Sequence, residues 1–275
     1  MAKGLAYENP LLRALLLRTY RAWARSQVWR SGPRIFVNSL PKAGTHLVTG
    51  ILDAIPGFAL SRLHVDAWDI HQQHGKYQSL MDFEPDIAEF ERLLRTVRPG
   101  QVATGHLPWR PQLLDTLMRH DFNLVVVTRD IDDVTVSNLH YIKSLRRHFM
   151  HERLVNDYPD DASRVAALRA GIPPRWHGDC LHDPMSVIAG QYEGWLEAAE
   201  RNAFAELIRF ETIVGARGGG SDAARREAIS RLARLAGHEP DGVLIDQVDL
   251  RALSSTSVTF RSGRIGEGRG AKASE

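Results

Sequence analysis

The chain has 275 residues, 43% of them hydrophobic and 25% charged, which is enough to bury the core of one large α/β domain. Its formal net charge is only +2 and its basic residues are scattered, so the composition argues against nucleic-acid binding. Because no run of about 18 apolar residues is present, we expect no membrane-spanning helix.

Two features of composition bear on location. The single cysteine, Cys180, excludes an internal disulfide framework and suits a reducing cytosol. The first ten residues hold no apolar signal core with a cleavage site, so we expect a cytoplasmic protein. Residues 10–30 carry Leu and Trp at helical spacing with Arg between them. Such a helix either docks on the domain, the interpretation we favour, or makes peripheral contact with a membrane surface.

Residues 34–50 predict a strand, a tight turn and a helix. An apolar strand runs from Ile35 to Leu40, a Pro-Lys-Ala-Gly turn follows, and the helix begins at Thr45. The first N–H groups of a helix lack internal partners, and the helix dipole adds positive potential there. Lys42 adds a full charge, so we expect a phosphate-like or sulfate-like group on this turn. The turn is not a Walker A loop, and an ordinary strand–turn–helix with a chance Lys is the alternative.

The next segment, residues 60–85, is rich in polar and aromatic side chains. It contains three His and two Asp that could bind a metal: His64, His71, His74, Asp66 and Asp69. Their spacing matches no zinc pattern, so we predict no metal site here. We interpret the segment as a mobile wall of a binding pocket, since loops above an α/β sheet commonly carry specificity.

The rest of the chain alternates between strand and helix patterns. Further strands are predicted over residues 102–104, 122–129 and 205–212, and helices over 86–98, 111–119, 131–145, 185–202 and 221–237. Between 146 and 183 the pattern weakens into short helices separated by Pro and Gly turns. A segment of this length within one domain is an insertion, a lid or an oligomer contact.

This alternation predicts a central, largely parallel sheet flanked by helices and joined by right-handed crossovers. Ligands in such sheets bind at the carboxyl ends of the strands. Lys42 follows the first predicted strand, His106 follows the second and Arg129 ends the third. Parallel strands place all three side chains on one edge, where we expect an active site. Arg129 could instead form a structural ion pair with Asp130 or Asp132, and a lone His could be a hydrogen-bonded structural residue.

Several motifs in these positions resemble those of the sulfotransferase family. The turn P-K-A-G-T-H-L at residues 41–47 is similar to its 5′-phosphosulfate loop, P-K-S-G-T-T/N-W/F. The run V-V-V-T-R-D-x-x-D-V-x-V-S, ending at Ser137, resembles its 3′-phosphate segment, R-x-P-x-D-x-x-x-S, without the Pro. T-G-H-L-P resembles K-T-H-L-P, which carries the catalytic base, with Thr104 in place of the Lys. Phe210 stands for the adenine-contacting Tyr of Y-E-D, and residues 260–268 resemble F-R-K-G-x-x-G-D-W.

The resemblance covers about residues 33–268 and implies a P-loop-like three-layer sandwich that uses 3′-phosphoadenosine 5′-phosphosulfate (PAPS). It implies that His106 takes a proton from an acceptor hydroxyl or amine while Lys42 stabilises the leaving 5′-phosphate. No metal is expected, because no nucleophile has to be generated from water. The implied cofactor-binding residues are Lys42, Ala43, Gly44, Thr45, His46, Arg129, Ser137, Phe210, Arg261, Ser262 and Gly263.

The motifs divide the chain into three parts. Residues 1–32 form an N-terminal amphipathic helical segment, 33–268 the sulfotransferase domain with a lid or insertion at 145–183, and 269–275 a flexible tail. The expected acceptor is a small molecule or a sugar bound in an aromatic-lined cleft built by residues 60–85 and 145–183. The sequence favours neither O- nor N-sulfation, and it predicts no particular oligomeric state.

Two other functions stay open at this point. A P-loop kinase would need a complete Walker A loop and a Mg²⁺-binding carboxylate at a strand end. The loop is incomplete, and His106 rather than an Asp follows the second predicted strand. A catalytically inactive nucleotide-binding protein is the other alternative, and turnover of PAPS would separate it from an enzyme.

Overall fold

The computed structural model describes residues 19, 32–72, 79–176, 181–254, 264–266 and 268. Within these ranges, no helix is both long and apolar enough to cross a membrane. Several predictions fall outside the described residues: those for the N-terminal amphipathic segment apart from residue 19, the tail at 269–275, and His74, Cys180, Arg261, Ser262 and Gly263.

The centre of the fold is a five-stranded sheet with the strand order β2-β3-β1-β4-β5. Its strands are β1 (Arg34–Ser39), β2 (Ala59–Asp66), β3 (Gln101–His106), β4 (Phe122–Thr128) and β5 (Ala205–Arg209). Every neighbouring pair is parallel. The predicted parallel sheet is therefore confirmed, with one strand more than the four predicted.

The additional strand is β2, at one edge of the sheet. Its side chains alternate, with Leu63 and Val65 buried and Arg62 and His64 exposed. A strand with one solvated face reads as a mixture of polar and apolar residues, and the interpretation of this part of 60–85 as a loop was wrong. The register of β2 shifts between Leu60 and His64, and Arg62 has φ 62°, which marks a β-bulge.

Helices cover both faces of the sheet. They are α1 (Thr45–Ala54), α2 (Ile87–Leu94), α3 (Pro111–Arg119), α4 (Ile131–Ser144), α5 (His151–Asp157), α6 (Asp161–Ala170), α7 (Met185–Gly190), α8 (Glu193–Arg201), α9 (Phe210–Ile213), α10 (Asp222–Leu235) and α11 (Gly242–Ser254). The helix predicted over 185–202 is two helices, and the strand predicted over 205–212 ends at Arg209. No element was predicted where α11 lies.

Two hydrophobic clusters fill the space between the sheet and its helices. Phe36 of β1 points into one cluster, with Phe90 of α2 and Trp195 of α8. Its neighbour Val37 points into the other, with Ile51 of α1. Because β1 buries both of its faces, its sequence is continuously apolar, as expected for a central parallel strand. The result is a helix–sheet–helix sandwich of three layers, as predicted.

The weakly patterned segment after α4 has a hydrophobic contact of its own. Helices α5 and α6 pack on α4 through a third cluster, which includes Val136, Leu139, Ile142, Leu154 and Leu168. The pairing of Ile172 with His182 in an isolated bridge then leads the chain back toward α7. This packing attaches the segment to α4, the helix that follows β4.

Candidate active site

The turn between β1 and α1 has an uncommon backbone. Lys42 has φ 70° and Gly44 has φ 109°, both in the left-handed region that most residues avoid. A Cβ on Gly44 would lie 2.6 Å from the Phe210 ring, so a larger residue is excluded by contact as well as by conformation. Ala43 is fully buried. Strained non-glycine residues cluster at functional sites, so the backbone of Lys42 marks this turn as a candidate site.

Two cations meet at this turn: Lys42 lies on it, and Arg129 reaches it from the end of β4. The Arg129 guanidinium donates from Nη1 to the Lys42 carbonyl oxygen at 3.4 Å, and the Lys42 ammonium lies 4.2 Å from the centre of the Tyr141 ring. Burial, and after it the charge of Arg129, lowers the pKa of Lys42 to about 8. An anion bound here would relieve the repulsion between the two cations, so the arrangement suits a negatively charged ligand.

His106 ends β3 and is held by the end of β1. Its Nδ1 lies 2.8 Å from the Ser39 carbonyl oxygen, which can only accept, so Nδ1 carries the proton and Nε2 is left as an acceptor. The Ser39 hydroxyl lies 2.6 Å from the Thr45 hydroxyl at the start of α1. Burial, followed by the neighbouring His64, lowers the pKa of His106 to about 4, so its ring is neutral near pH 7.

A second histidine stands against the first. The His64 ring meets the His106 ring edge to face, with centres 4.7 Å apart, and its Nε2 lies 3.3 Å from Asp66 Oδ1. Its Nδ1 contacts the Thr104 hydroxyl at 2.8 Å. Sequence reasoning did not place His64 and Asp66 in the active site because it missed β2. The alternating pattern with His and Asp two residues apart was the signal that could have identified them.

The end of β2 also changes one argument made from the sequence. Asp66 is a carboxylate at the carboxyl end of a strand, and its register partner is His106 on β3. His106 rather than an Asp followed the second predicted strand because that prediction missed β2, which ends in Asp66. His46, on the first turn of α1, belongs to the same neighbourhood. Partial desolvation, followed by the charges of Lys42, His64 and Arg62, lowers the pKa of His46.

The Arg129 side chain is 6% exposed, and besides the Lys42 carbonyl it contacts groups from three other parts of the chain. Its Nη2 donates to the Arg264 carbonyl oxygen at 3.0 Å, and the guanidinium lies 3.9 Å from the centre of the Phe210 ring. Nη2 is also 3.8 Å from an Asp133 carboxylate oxygen.

An ion pair of Arg129 with Asp130 or Asp132, the alternative drawn from the sequence, is not what the structure shows. Asp130 accepts from the N–H groups at the start of α4, and Asp132 pairs with Arg169 at 3.1 Å. The acidic partner of Arg129 is instead Asp133, one position further along the helix.

Part of the C-terminal motif lies against the same carboxylate. The N–H groups of Gly266 and Gly268 donate to Asp133 at 2.8 and 2.6 Å. A Cβ on Gly268 would lie 2.4 Å from the backbone of Asp132, so the Trp of the resembling motif would not fit here without a shift of the backbone. A cavity of about 340 Å³ opens beside Arg129, lined also by Thr128, Arg209, Glu211 and Gly266.

The predicted site residues thus fall into three groups. The loop, His106, Arg129 and Phe210 come together at the carboxyl edge of the sheet, within the contacts described above. Ser137 lies half-buried in the second turn of α4, and no direct contact links it to Arg129. The remaining three, Arg261 to Gly263, lie outside the described residues.

The family model described as the sulfotransferase domain matches residues 32–213. Among solved structures, mouse sulfotransferase SULT7A1 complexed with PAP aligns with a TM-score of 0.53 and 16% identity, covering 86% of this chain and 78% of that one. At this identity the similarity shows the fold, and it confirms the predicted P-loop-like class.

Two retinol dehydratase structures align less well, both at 16% identity. One is a complex with androsterone and inactive cofactor PAP, with a TM-score of 0.45 and coverage of 86% of this chain and 75% of that one. The other is a complex with retinol and PAP, with a TM-score of 0.47 and coverage of 87% and 76%. No curated protein sequence matches the chain significantly.

Proposed function

The chain belongs to the sulfotransferase family, and we propose that it moves a sulfuryl group from PAPS to a hydroxyl or amine of a small-molecule or carbohydrate acceptor. The observation that carries this proposal is the hydrogen-bonded link from His106 through Ser39 to Thr45. It holds a neutral imidazole next to the cationic turn that would receive the phosphosulfate. A base for the acceptor and a site for the leaving group therefore share one edge of the sheet.

His106 acts as the general base in this proposal. Its Nε2 takes the proton from the acceptor as the acceptor oxygen or nitrogen forms a bond to sulfur, and the bond from sulfur to the 5′-phosphate oxygen breaks. A pKa of about 4 keeps the ring unprotonated in the free enzyme but makes it a weak base. The negative charge of bound phosphosulfate would raise this pKa, which strengthens the base when the donor is present.

Lys42 stabilises the charge that grows on the leaving phosphate. Its ammonium is held near Tyr141, and its carbonyl is tied to Arg129, so the cation is fixed before the reaction begins. Fixed donors facing a developing charge are worth more in a partly buried site than in water. The N–H groups at the start of α1 and the Thr45 hydroxyl would add to this stabilisation.

The 3′-phosphate is assigned to the cavity beside Arg129. The guanidinium supplies a fork of donors, with Ser137, Arg261, Ser262 and Gly263 as further proposed contacts. Asp133 occupies part of this region, where it accepts from the N–H groups of the C-terminal motif. We propose that Asp133 holds that motif in place rather than binding the nucleotide itself.

The acceptor would lie between β2 and the insertion after α4. Trp68 follows β2 and is 46% exposed, while Phe149 and Trp176 in the insertion are 58% and 63% exposed. The insertion also lies near the cationic turn, because the His148 ring packs edge to face on the Tyr141 ring, which the Lys42 ammonium contacts. Burial, followed by His182, His151 and Lys42, lowers the pKa of His148 to about 4. These aromatic surfaces support an apolar or ring-shaped acceptor.

Transfer of labelled sulfate tests the proposed function. Protein incubated with ³⁵S-labelled PAPS and a panel of phenols, sterols and sugars should produce a labelled product together with adenosine 3′,5′-bisphosphate (PAP). A kinase would instead transfer label from γ-³²P-ATP, and the incomplete Walker A loop disfavours that outcome even though Asp66 ends a strand. Tight binding of PAP with no transfer to any acceptor would support the inactive alternative.

A further inference from the structure

We propose that His64, Asp66 and His106 form a binding site for a transition-metal dication such as Zn²⁺, and that the bound metal inhibits transfer. The three side chains offer ligand atoms that all lie within 4.8 Å of one another. The proposal that a metal binds here depends only on the geometry of these three side chains. The inhibitory part rests on the proposed role of His106 as the base.

One pair of donor atoms already has the spacing of a tetrahedral ion, and the third donor lies within 4.8 Å of both. Ligand atoms about 2.0–2.1 Å from a zinc ion lie about 3.3 Å from one another in a tetrahedral arrangement. His64 Nε2 and Asp66 Oδ1 are already 3.3 Å apart. His64 and Asp66 are two residues apart on β2 and so share a face, while His106 is the register partner of Asp66 on the adjacent strand. The parallel pairing of β2 with β3 thus brings the third ligand to the first two.

Both imidazoles are oriented by hydrogen bonds on the atom that would not bind the metal. The Thr104 hydroxyl directs its own proton toward the Leu63 carbonyl at 3.4 Å and so can accept from His64 Nδ1 at 2.8 Å. The Ser39 carbonyl accepts from His106 Nδ1 at 2.8 Å. Each ring therefore presents Nε2, and such partners typically fix the tautomer and ring orientation of metal-binding histidines.

The carboxylate is fixed in the same way. Asp66 precedes a short helical turn over Ala67–Asp69, where it and Asp69 form a reciprocal cap. The Asp66 N–H donates to Asp69 Oδ2 at 2.8 Å. Asp66 can therefore offer a carboxylate oxygen from a fixed position, and metal ligands bind in the deprotonated form.

The ligand set selects the kind of ion. Two imidazoles with one carboxylate suit zinc, copper or nickel, whereas magnesium and calcium prefer all-oxygen sites. Among the described residues, no other His, Cys, Asp or Glu joins the cluster. Three protein ligands leave a further position for water or for an added ligand. The positive charges of Lys42 and Arg62 nearby oppose a dication, so we expect a site of moderate affinity that strengthens when an anion is bound.

Inhibition is expected because the metal would bind His106 Nε2, the atom that acts as the base in the proposed reaction. A metal on His106 Nε2 removes the lone pair that would otherwise accept the acceptor proton. Transfer would stop without loss of the fold, and a chelator would restore it. The cluster would therefore make this enzyme sensitive to free zinc although the proposed reaction uses no metal.

Co²⁺ titration of the untagged full-length protein tests the site without reference to activity. We expect one equivalent per chain, with the visible absorption of a four- or five-coordinate Co²⁺ ion that Zn²⁺ displaces. His64→Gln and Asp66→Asn should each weaken binding by more than about tenfold. His120→Gln is the matched control, because His120 forms a His–carboxylate pair with Glu91 at 3.9 Å outside this site. If His64→Gln lowers the melting temperature, Thr104→Val, which keeps both imidazoles and removes the hydroxyl that supports His64 Nδ1, should still weaken binding.

Absence of a stoichiometric site, or binding that His64→Gln and Asp66→Asn leave unchanged, would overturn the proposed site. The activity arm is separate. Zn²⁺ should inhibit transfer over the same concentrations at which it fills the site, and EDTA should reverse the inhibition. A filled site with unchanged transfer would overturn the inhibitory part. A filled site in a protein that transfers no sulfate to any acceptor would count against the proposed function and leave the metal site standing.

Discussion

His106 donates its Nδ1 proton to the Ser39 carbonyl oxygen at 2.8 Å, and this bond joins the ends of β3 and β1. The acceptor is a main-chain carbonyl group, so its position is set by the parallel pairing of β1 with β3. It determines which ring nitrogen faces the cleft. The proposed base is therefore oriented before any substrate binds.

The two shifted groups predict the pH profile of kcat/KM. His106 must be neutral, and with its pKa lowered to about 4, protonation should reduce the rate only in that range. Lys42 must be charged, and with its pKa lowered to about 8, the rate should fall as the pH rises past that value. Because kcat/KM reports the free enzyme, a plateau should lie between the two limits. An acidic limb near the ordinary histidine value would contradict the burial of His106.

Binding of the bisphosphate product should stabilise the protein much more than binding of AMP. The 3′-phosphate has a proposed site at Arg129 that AMP cannot use. A hundredfold excess over Kd should raise the free energy of unfolding by about 2.7 kcal/mol. Differential scanning fluorimetry with PAP, AMP and ATP measures this directly. Equal shifts with all three ligands, or an Arg129→Ala variant that keeps the preference for PAP, would be inconsistent with the assigned phosphate site.

Chelation should leave transfer intact. The proposed chemistry gives a metal no task, and the metal site inferred here would inhibit. Activity after dialysis against EDTA should equal or exceed that of the untreated protein, and adding Zn²⁺ should not increase it. Loss of transfer on chelation, with recovery on adding zinc, would show that the reaction needs a metal.

Gly44→Ala should destabilise the protein and weaken PAP binding. The residue has φ 109°, and a Cβ would lie 2.6 Å from the Phe210 ring, so both backbone and contact oppose the change. We expect a loss of more than about 1 kcal/mol in the free energy of unfolding. Gly190→Ala is the control, because nothing lies within 4 Å of a Cβ there and alanine favours the helix. Urea unfolding of both variants measures the difference, and equal stability would contradict the assigned role of the turn.

The sequence was sufficient for the parts of the site that lie on central strands. β1 and β4 are buried on both faces, so their apolar runs stand out, and the rule for parallel sheets then places Lys42 and Arg129 on one edge. His106 followed from the same rule. The turn could be recognised because its spacing of Pro, Lys and Gly is local.

The features that the sequence did not reveal lie on an edge strand or depend on contacts between residues far apart in the chain. β2 has a solvated face, so its His and Asp read as a loop, and the cluster around His64 was lost with it. The bonds from Gly266 and Gly268 to Asp133 join residues more than 130 positions apart, and no local pattern announces them. α11 was missed because its exposed apolar residues, Val243 and Leu250, obscure the apolar face that Leu244, Ile245 and Val248 turn to the core.

The most direct test of this account compares turnover, PAP affinity and melting temperature for His106→Ala and Lys42→Ala on the same preparations. Loss of a general base typically costs 10²–10⁴-fold, about 3–5 kcal/mol of barrier. We predict that His106→Ala loses turnover on this scale while PAP affinity and melting temperature stay near those of the unmodified protein. Lys42→Ala should raise KM and lower kcat together, because Lys42 contacts the donor before and during transfer. A well-folded His106→Ala protein with near-normal turnover would contradict the assignment of His106 as the base.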